Sequence, residues 1–383
     1  MKKILIAINN MEIGGIQRSL IELLKLIHDR YDITLYCINF RGDYINEIPK
    51  DVTIVKGNKY AVVPEYTTKE CRDLGVNEYL LHLFIIIWSR LFGRKIPSKL
   101  ISILSTKMCD YYDVAISYAQ PLNDRFCICL TNEFVLYNCK ARKKVSFLHG
   151  DYQRYGGNTR YSKWLYERFD IIAAVSDSVL KNLLQILPEN KGKSIVVNNA
   201  CDYLSVKKLS TIDSVVYKRT SFVSVSRLGP EKGLSRCIPI CRKLIDEGYS
   251  FEWHIVGDGQ ERGNIENAIS DYDLKGVIYL EGSQNNPYRF MRNANALILP
   301  SYHEAAPMVY FESASLGLWV LTTETLSAKE IVEKNRIGFV CPNNENGIYT
   351  MMKSFLQNGE PHRTSFDMRR INETVIEQFR HLI

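Results

Sequence analysis

The sequence predicts an α/β chain built on two doubly wound parallel sheets. Three observations lead there. Short apolar runs of strand length alternate with helical periods along the chain, the pattern of parallel sheets in α/β layers. Two such series occur, separated near 200–220 by "NACDYLSVKKLSTIDSVVYKRT", which loses clear periodicity. The runs end near polar or glycine-rich residues, and ligands of such sheets bind at the carboxyl ends of the strands.

Taken in order, "KILIAI", "DITLYCI" and "VTIV" read as strands, with "GIQRSLIELLKLI" the helix after the first. "DVAISYA", "KKVSFLHG", "DIIAAVS" and "KSIVVNN" complete the first series. "SFVSVS", "SFEWHIVG", "GVIYLEG", "ALILPS" and "LWVLTT" form the second. The expected domains are 1–205 and 206–365, with 366–383 a helix that returns to the first. Two domains suit 383 residues, at roughly 150–200 residues each.

The composition, 46% hydrophobic and 24% charged, is that of a globular chain. No window carries the ~20 consecutive apolar residues of a membrane span. "MKKILIAINN" has a short apolar part, Ile4 to Ile8, and no small-residue cleavage site follows, so it reads as a first strand and not a signal peptide. The ten cysteines are scattered without a CxxC pair, which favours buried thiols in a reducing cytoplasm over disulfides or zinc. Cys127 and Cys129 alternate in "FCICL" as on one face of a strand; Cys237 and Cys241 are a helical turn apart. The formal net charge of +7 comes without a basic tract or nucleic-acid motif. It suits an anionic lipid surface or a phosphorylated ligand, and no nucleic-acid partner is expected.

Four stretches carry candidate chemistry. Gly14 and Gly15 lie between a strand and a helix, where backbone can approach an anion, though a plain tight turn fits them equally. They match neither GxGxxG nor the P-loop pattern. In "SVSRLGPEKGL", Arg227 and Lys232 occupy one strand-to-helix connection. There a guanidinium fork and an ammonium can clamp a diphosphate; a solvated surface pair is the plain alternative. Gly257 and Gly259 form a third tight loop after "WHIV". In "SYHEAAPMVYFES", Pro307 suits a first helical turn, leaving the N–H groups of Met308 and Val309 open to an anion. Glu304 then precedes that helix and Glu312 lies one turn along, so two carboxylates flank one helix N-terminus and can accept from sugar hydroxyls. Asp271 and Asp273 spell DxD at a helix end and read as solvated charge.

Together these pieces resemble the retaining glycosyltransferases of family 4, whose fold is GT-B: two Rossmann-like domains facing across a cleft. The resemblance covers most of the chain and is strongest over 221–340. It rests on Glu304 and Glu312 with seven residues between them, Arg227 and Lys232 five apart, the Gly14–Gly15 loop, His149 at the end of "VSFLH", and "NPYRFMRNANALILPSYHE" before the first glutamate. It implies that Arg227 and Lys232 bind the donor diphosphate, Glu312 the ribose hydroxyls and Glu304 the donor sugar. It sets His149 beside that sugar and the base against the loop Gly282 to Asn286. It implies no metal and no cofactor beyond the nucleotide sugar, since fixed cations and a helix N-terminus stabilise the leaving diphosphate. The chain departs from the family where glycines usually follow the first glutamate. Here stand Ala305, Ala306 and Pro307.

The expected function is therefore a metal-independent retaining glycosyltransferase of the hexosyltransferase type. It would move a sugar from a UDP-sugar to a saccharide acceptor, lipid-linked, in bacterial surface-polysaccharide or glycoconjugate biosynthesis. The expected location is cytoplasmic and peripheral on the inner face of the plasma membrane. Two other readings stand beside it: a non-catalytic sugar-nucleotide-binding partner subunit, and a sugar-nucleotide epimerase on the same fold. The segment 79–104, rich in Ile, Leu, Phe and Trp with Arg90, Arg94, Lys95 and Lys99 interspersed, reads equally as an anionic-membrane patch or as a core helix with its loop.

Overall fold

Both halves of the chain build parallel sheets from the runs just described. The computed structural model describes residues 1–121, 123–154, 156–358 and 366–383. Its first unit is Met1–Ala200 with Asn372–Ile383; its second is Cys201–Ile371. The expected junction at 365–366 borders residues 359–365, which lie outside the described residues.

In the first unit β1 (Lys3–Ile8), β2 (Asp32–Cys37), β3 (Thr53–Lys56), β4 (Tyr111–Ser117), β5 (Lys140–Leu148), β6 (Ile171–Ala174) and β7 (Ser194–Val196) form one sheet, ordered β3-β2-β1-β4-β5-β6-β7. Ile4 pairs with Ile33 on one side and with Val114 on the other, all in parallel. In the second unit β8 (Thr220–Val225), β9 (Phe251–Val256), β10 (Ile278–Gly282), β11 (Ala296–Leu299), β12 (Trp319–Thr323) and β13 (Gly338–Cys341) follow the order β10-β9-β8-β11-β12-β13, again all parallel. The central strands are largely apolar and buried without alternation, as in a parallel sheet covered on both faces; all six residues of β9 are buried, while the edge strand β3 is mostly exposed. Each fully buried Ile, Leu or Val there contributes about 1.5–3 kcal/mol relative to exposure.

Strand order reverses between β1 and β4 in the first sheet and between β8 and β11 in the second. At such a switch point neighbouring connections leave in opposite directions and open a crevice at the carboxyl ends. Gly14–Gly15 follows β1, Arg227 to Lys232 follow β8, and Glu304 follows β11. His149 follows β5, the neighbour of β4.

Four local expectations need correction. "FCICL" is not a strand: Cys129 has φ +55, and its N–H donates to Glu65 Oε1 at 2.6 Å, a side-chain partner instead of a sheet neighbour. The stretch read as lacking periodicity holds a helix, Tyr203–Ser210, started by the Asp202 side chain, which accepts from the Ser205 N–H. β13 was not read at all; its Gly338 lies so close to Val320 that a Cβ would collide with that carbonyl. The segment 79–104 is neither all patch nor all core. It comprises most of the helix Val76–Phe92 and the helix Lys95–Leu104, and Arg94 between them is fully buried, not a surface cation. It donates to Glu133 at 2.7 Å and Asp124 at 3.2 Å.

The ten cysteines are free thiols, nine of them buried. The helix Met368–Arg380 begins in the second unit, and from Asn372 onward it belongs to the first. There Gln378 exchanges two hydrogen bonds with Asn198, and Phe379 meets the Tyr31 ring.

Candidate donor and transfer site

In the second unit the loop after β8 turns through Pro230–Lys232 and ends on Gly233, whose φ of +61 suits glycine. A Cβ at Gly233 would stand 2.5 Å from the Pro300 carbonyl, so the β8 and β11 loops are in direct backbone contact. That contact brings Lys232 to Glu304: Nζ to Oε1 is 2.5 Å, with the two side chains 18% and 11% exposed. The Ser301 hydroxyl donates to the same oxygen at 2.8 Å. The cation expected on diphosphate and the carboxylate expected on sugar thus hold each other. Arg227 is 71% exposed and reaches Glu231 at 3.3 Å, four residues on. It stands apart from the Lys232–Glu304 pair as a solvent-facing guanidinium.

Gly257 has φ +143, and its missing Cβ would collide with the Ser226 carbonyl. Glycine is needed there for close strand-loop packing, whatever else the loop touches. Glu304 leads through half-buried Ala305 and Ala306 to Pro307. Pro307 is the N-cap of the helix Met308–Ser315, with ψ 128, and not its first helical residue. It still leaves the N–H groups of Met308 and Val309 without acceptors inside the helix. Glu312 is buried in the second turn, where the Tyr288 hydroxyl donates to Oε1 at 3.1 Å.

Three residues that the sequence reading missed hold the Glu304 loop. Arg236, buried, donates twice to the Pro300 carbonyl, at 3.1 and 2.6 Å, and once to Asn343 Oδ1 at 2.7 Å. Asn343 donates to the carbonyls of Ser301, Tyr302 and Glu324. Ser301 is the third. Asn343 sits in "CPNNEN", just beyond the unread strand β13, so nothing in the sequence linked it to 300–304. Beside β10, a recess of about 350 Å³ is lined by Asp213, Ser283, Asn286 and Arg289, among others.

In the first unit Gly14 is extended at the N-cap of the helix Gly15–Ile27, and a Cβ on Gly15 would meet open space. His149 lies against the Tyr118 ring at 4.7 Å. The backbone N–H groups of His149 and Gly150 both donate to Gln120 Oε1, at 2.7 and 3.2 Å. Burial pushes the imidazole down to about 3, and only a hydrogen bond to Tyr118 backbone opposes that, so the ring is neutral at pH 7. Its Nε2 is buried without a hydrogen-bond partner among the described residues. Among them also, no three His, Cys, Asp or Glu side chains gather as a metal set, and no helix is long and apolar enough to cross a membrane.

Residues 213–369 match the model of the family described as glycosyl transferases group 1. Over 146 residues the chain is 31% identical to the amylovoran biosynthesis glycosyltransferase AmsK of Erwinia amylovora, a stretch spanning 36% of each protein. A second relative is the N-acetylgalactosamine-N,N'-diacetylbacillosaminyl-diphospho-undecaprenol 4-alpha-N-acetylgalactosaminyltransferase of Campylobacter jejuni. It is 22% identical over 379 residues, 93% of this chain and 91% of that one. Among solved structures, Anabaena Alr3699/HepE in complex with UDP superposes with a TM-score of 0.67 at 16% identity, covering all of both chains. The shared fold is GT-B.

Proposed function

With residues 213–369 setting this chain among the glycosyl transferases of group 1, on the GT-B fold, we propose that it is a retaining, metal-independent glycosyltransferase. Its donor is a UDP-sugar and its acceptor a growing saccharide on a lipid carrier, in polysaccharide biosynthesis, met at an anionic membrane surface. The observation that carries the donor reading is the Lys232–Glu304 pair at the switch point between β8 and β11. A cation and a carboxylate one loop apart from a helix N-terminus are what a sugar diphosphate needs.

In this reading the diphosphate takes Lys232 from Glu304 and lies against the N–H groups of Met308 and Val309. Arg227 closes on it from solvent. Glu304, released, accepts from hydroxyls of the sugar. Glu312, oriented by Tyr288, accepts from the ribose, and the base enters the recess beside Ser283 to Asn286. Transfer breaks the bond from the anomeric carbon to the diphosphate oxygen, which keeps the electron pair. The acceptor oxygen bonds the same face of that carbon, and its proton passes to the departing diphosphate. The fixed donors around the diphosphate stabilise the charge that builds there.

The relatives support the acceptor: AmsK is named for amylovoran biosynthesis, and the Campylobacter enzyme for a diphospho-undecaprenol substrate. HepE holds UDP on the same fold. A non-catalytic partner subunit would bind the nucleotide sugar without releasing free sugar, and an epimerase would invert a centre of the sugar instead of releasing it. Titration with UDP and with UDP-sugars, followed for slow donor hydrolysis, tests the proposal. Binding of UDP together with release of free sugar is expected; no binding of any nucleoside diphosphate overturns it.

A further inference from the structure

Among the described residues, the helix Val76–Phe92 leaves a whole face without a partner. Val76, Leu80, Phe84, Ile87 and Leu91, spaced four, four, three and four apart, are all exposed. Its opposite face is buried through His82, Ile85 and Ser89. Phe84, Trp88 and Phe92 run along its side as an aromatic ladder, with centroids 5.5 and 5.0 Å apart. Exposed apolar residues continue past Gly93 with Ile96 and Ile103.

Charge identifies what covers this face. Between Glu78 and Asp110 the chain has no acidic residue, yet Arg90, Lys95 and Lys99 are exposed among the apolar groups. Arg125, whose guanidinium donates to the Arg90 carbonyl at 2.8 Å, and the exposed Phe126 extend the same chemistry from a neighbouring loop. A second copy of the chain meeting this face symmetrically would set cations against cations. An anionic lipid surface meets both the apolar stripe and the cations. The helix is 17 residues, ~25 Å at 1.5 Å per residue, and so shorter than the ~30 Å hydrocarbon core. It would lie in the interface.

The turn beneath is built to hold that pose. Arg94 ties the start of the helix Lys95–Leu104 to Glu133 and Asp124, and its own N–H donates to the Asp124 carbonyl at 2.9 Å. The ends of both helices are thereby fixed to the core while their outer residues face solvent.

We propose that the exposed face of Val76–Phe92, with Arg90, Lys95 and Lys99, docks the first unit in the plane of an anionic membrane. This deepens the membrane-surface part of the proposed function and is independent of the donor chemistry.

The test is co-sedimentation of the full chain with phosphatidylcholine vesicles, with and without phosphatidylglycerol, at low and high salt. Binding is expected only with phosphatidylglycerol and should weaken as salt rises. Lys95→Gln with Lys99→Gln should lower affinity about fivefold for each cation removed, ~1 kcal/mol apiece. Leu80→Gln, Ile87→Gln and Leu91→Gln together should abolish binding and leave the thermal midpoint and UDP titration unchanged. Four results overturn the proposal: wild type ignoring anionic vesicles at low salt, undiminished binding by the apolar variant, unfolding of that variant, or a concentration-dependent dimer that the same substitutions dissolve. UDP titration on the same preparations reports the donor site separately, so either reading can fail alone.

Discussion

Two cation–carboxylate pairs in this chain look alike by distance and differ in everything else. Arg94 and Glu133, in the first unit, are both fully buried. Lys232 and Glu304, in the second, keep 18% and 11% of their side-chain surface. Arg94 also bonds Asp124, and Glu133 accepts from the Tyr161 hydroxyl at 3.2 Å, so that pair is one edge of a network. Glu304 has the Ser301 hydroxyl besides Lys232. A fully buried pair tied into a network serves the fold, even with Arg94 Nη2 and Glu133 Oε2 left without hydrogen-bond partners among the described residues. A pair left partly open can exchange one partner for a ligand, since the energy lost on separation is returned by the incoming diphosphate.

The largest expected effect breaks the closed pair. Arg94→Met leaves Glu133 as an uncompensated buried charge and should cost about 3–5 kcal/mol of stability, measured by urea unfolding. Adding Glu133→Leu should restore much of it, because an apolar pair replaces a desolvated ionic one. UDP affinity should not move in either variant. If Arg94→Met unfolds no more easily than wild type, the contrast between the pairs is gone.

Next comes the open pair. Lys232→Ala should weaken UDP binding by roughly 10- to 150-fold, the ~1.5–3 kcal/mol of a charge-assisted hydrogen bond. Stability should change little, because Glu304 can be hydrated in place. Equal UDP affinity in wild type and variant would show that Lys232 is only a partner for Glu304.

How far the sequence could reach follows the same division. The strands were legible because buried parallel strands are continuous apolar runs, and twelve such runs are strands. β13 was not, because it is four residues opening on a glycine. Motif spacing brought Lys232 and Glu304 under attention, but spacing says nothing of partners, and their mutual bond lies across 72 residues. Arg236 and Asn343 were invisible for a further reason. Each acts by holding backbone carbonyls, which any sequence provides. Arg94 was misread because its neighbours in sequence are apolar and cationic, while its partners Asp124 and Glu133 come from 30 and 39 residues away.

His149 sharpens the contrast from a third direction, as a buried group with no charge to pair. Its folded value of about 3 lies below the ordinary 6.5. The unfolded chain therefore takes a proton below ~6.5 that the fold refuses until about 3. The stability this contributes is present above pH 6.5 and is lost as pH falls toward 3. The stability difference between wild type and His149→Gln should accordingly shrink across that window in unfolding series at fixed temperature. Between pH 6 and 7 the effect should be smaller than in the first two cases, because the window has barely opened there. A pH-independent difference would mean that the ring is protonated normally in the fold.

The smallest effect is the most informative about exchange. Glu304→Gln removes the carboxylate that competes with diphosphate for Lys232, while keeping a side chain of the same size. Affinity for UDP should then stay level or rise, by no more than about fivefold, since a partly exposed pair is worth up to ~1 kcal/mol. Donor hydrolysis should fall sharply in the same protein, because the group assigned to the sugar is now neutral. Glu312→Gln should do the reverse. Its carboxylate is held by Tyr288 and takes no part in the lysine pair, so UDP affinity should drop with the loss of a charged ribose acceptor. Calorimetry with UDP alone, beside hydrolysis rates with the UDP-sugar, separates the two. Should Glu304→Gln lose UDP affinity as Lys232→Ala does, the pair is not exchanged on binding. The ligand would then bind both partners together, and the open pair would work as a preformed unit.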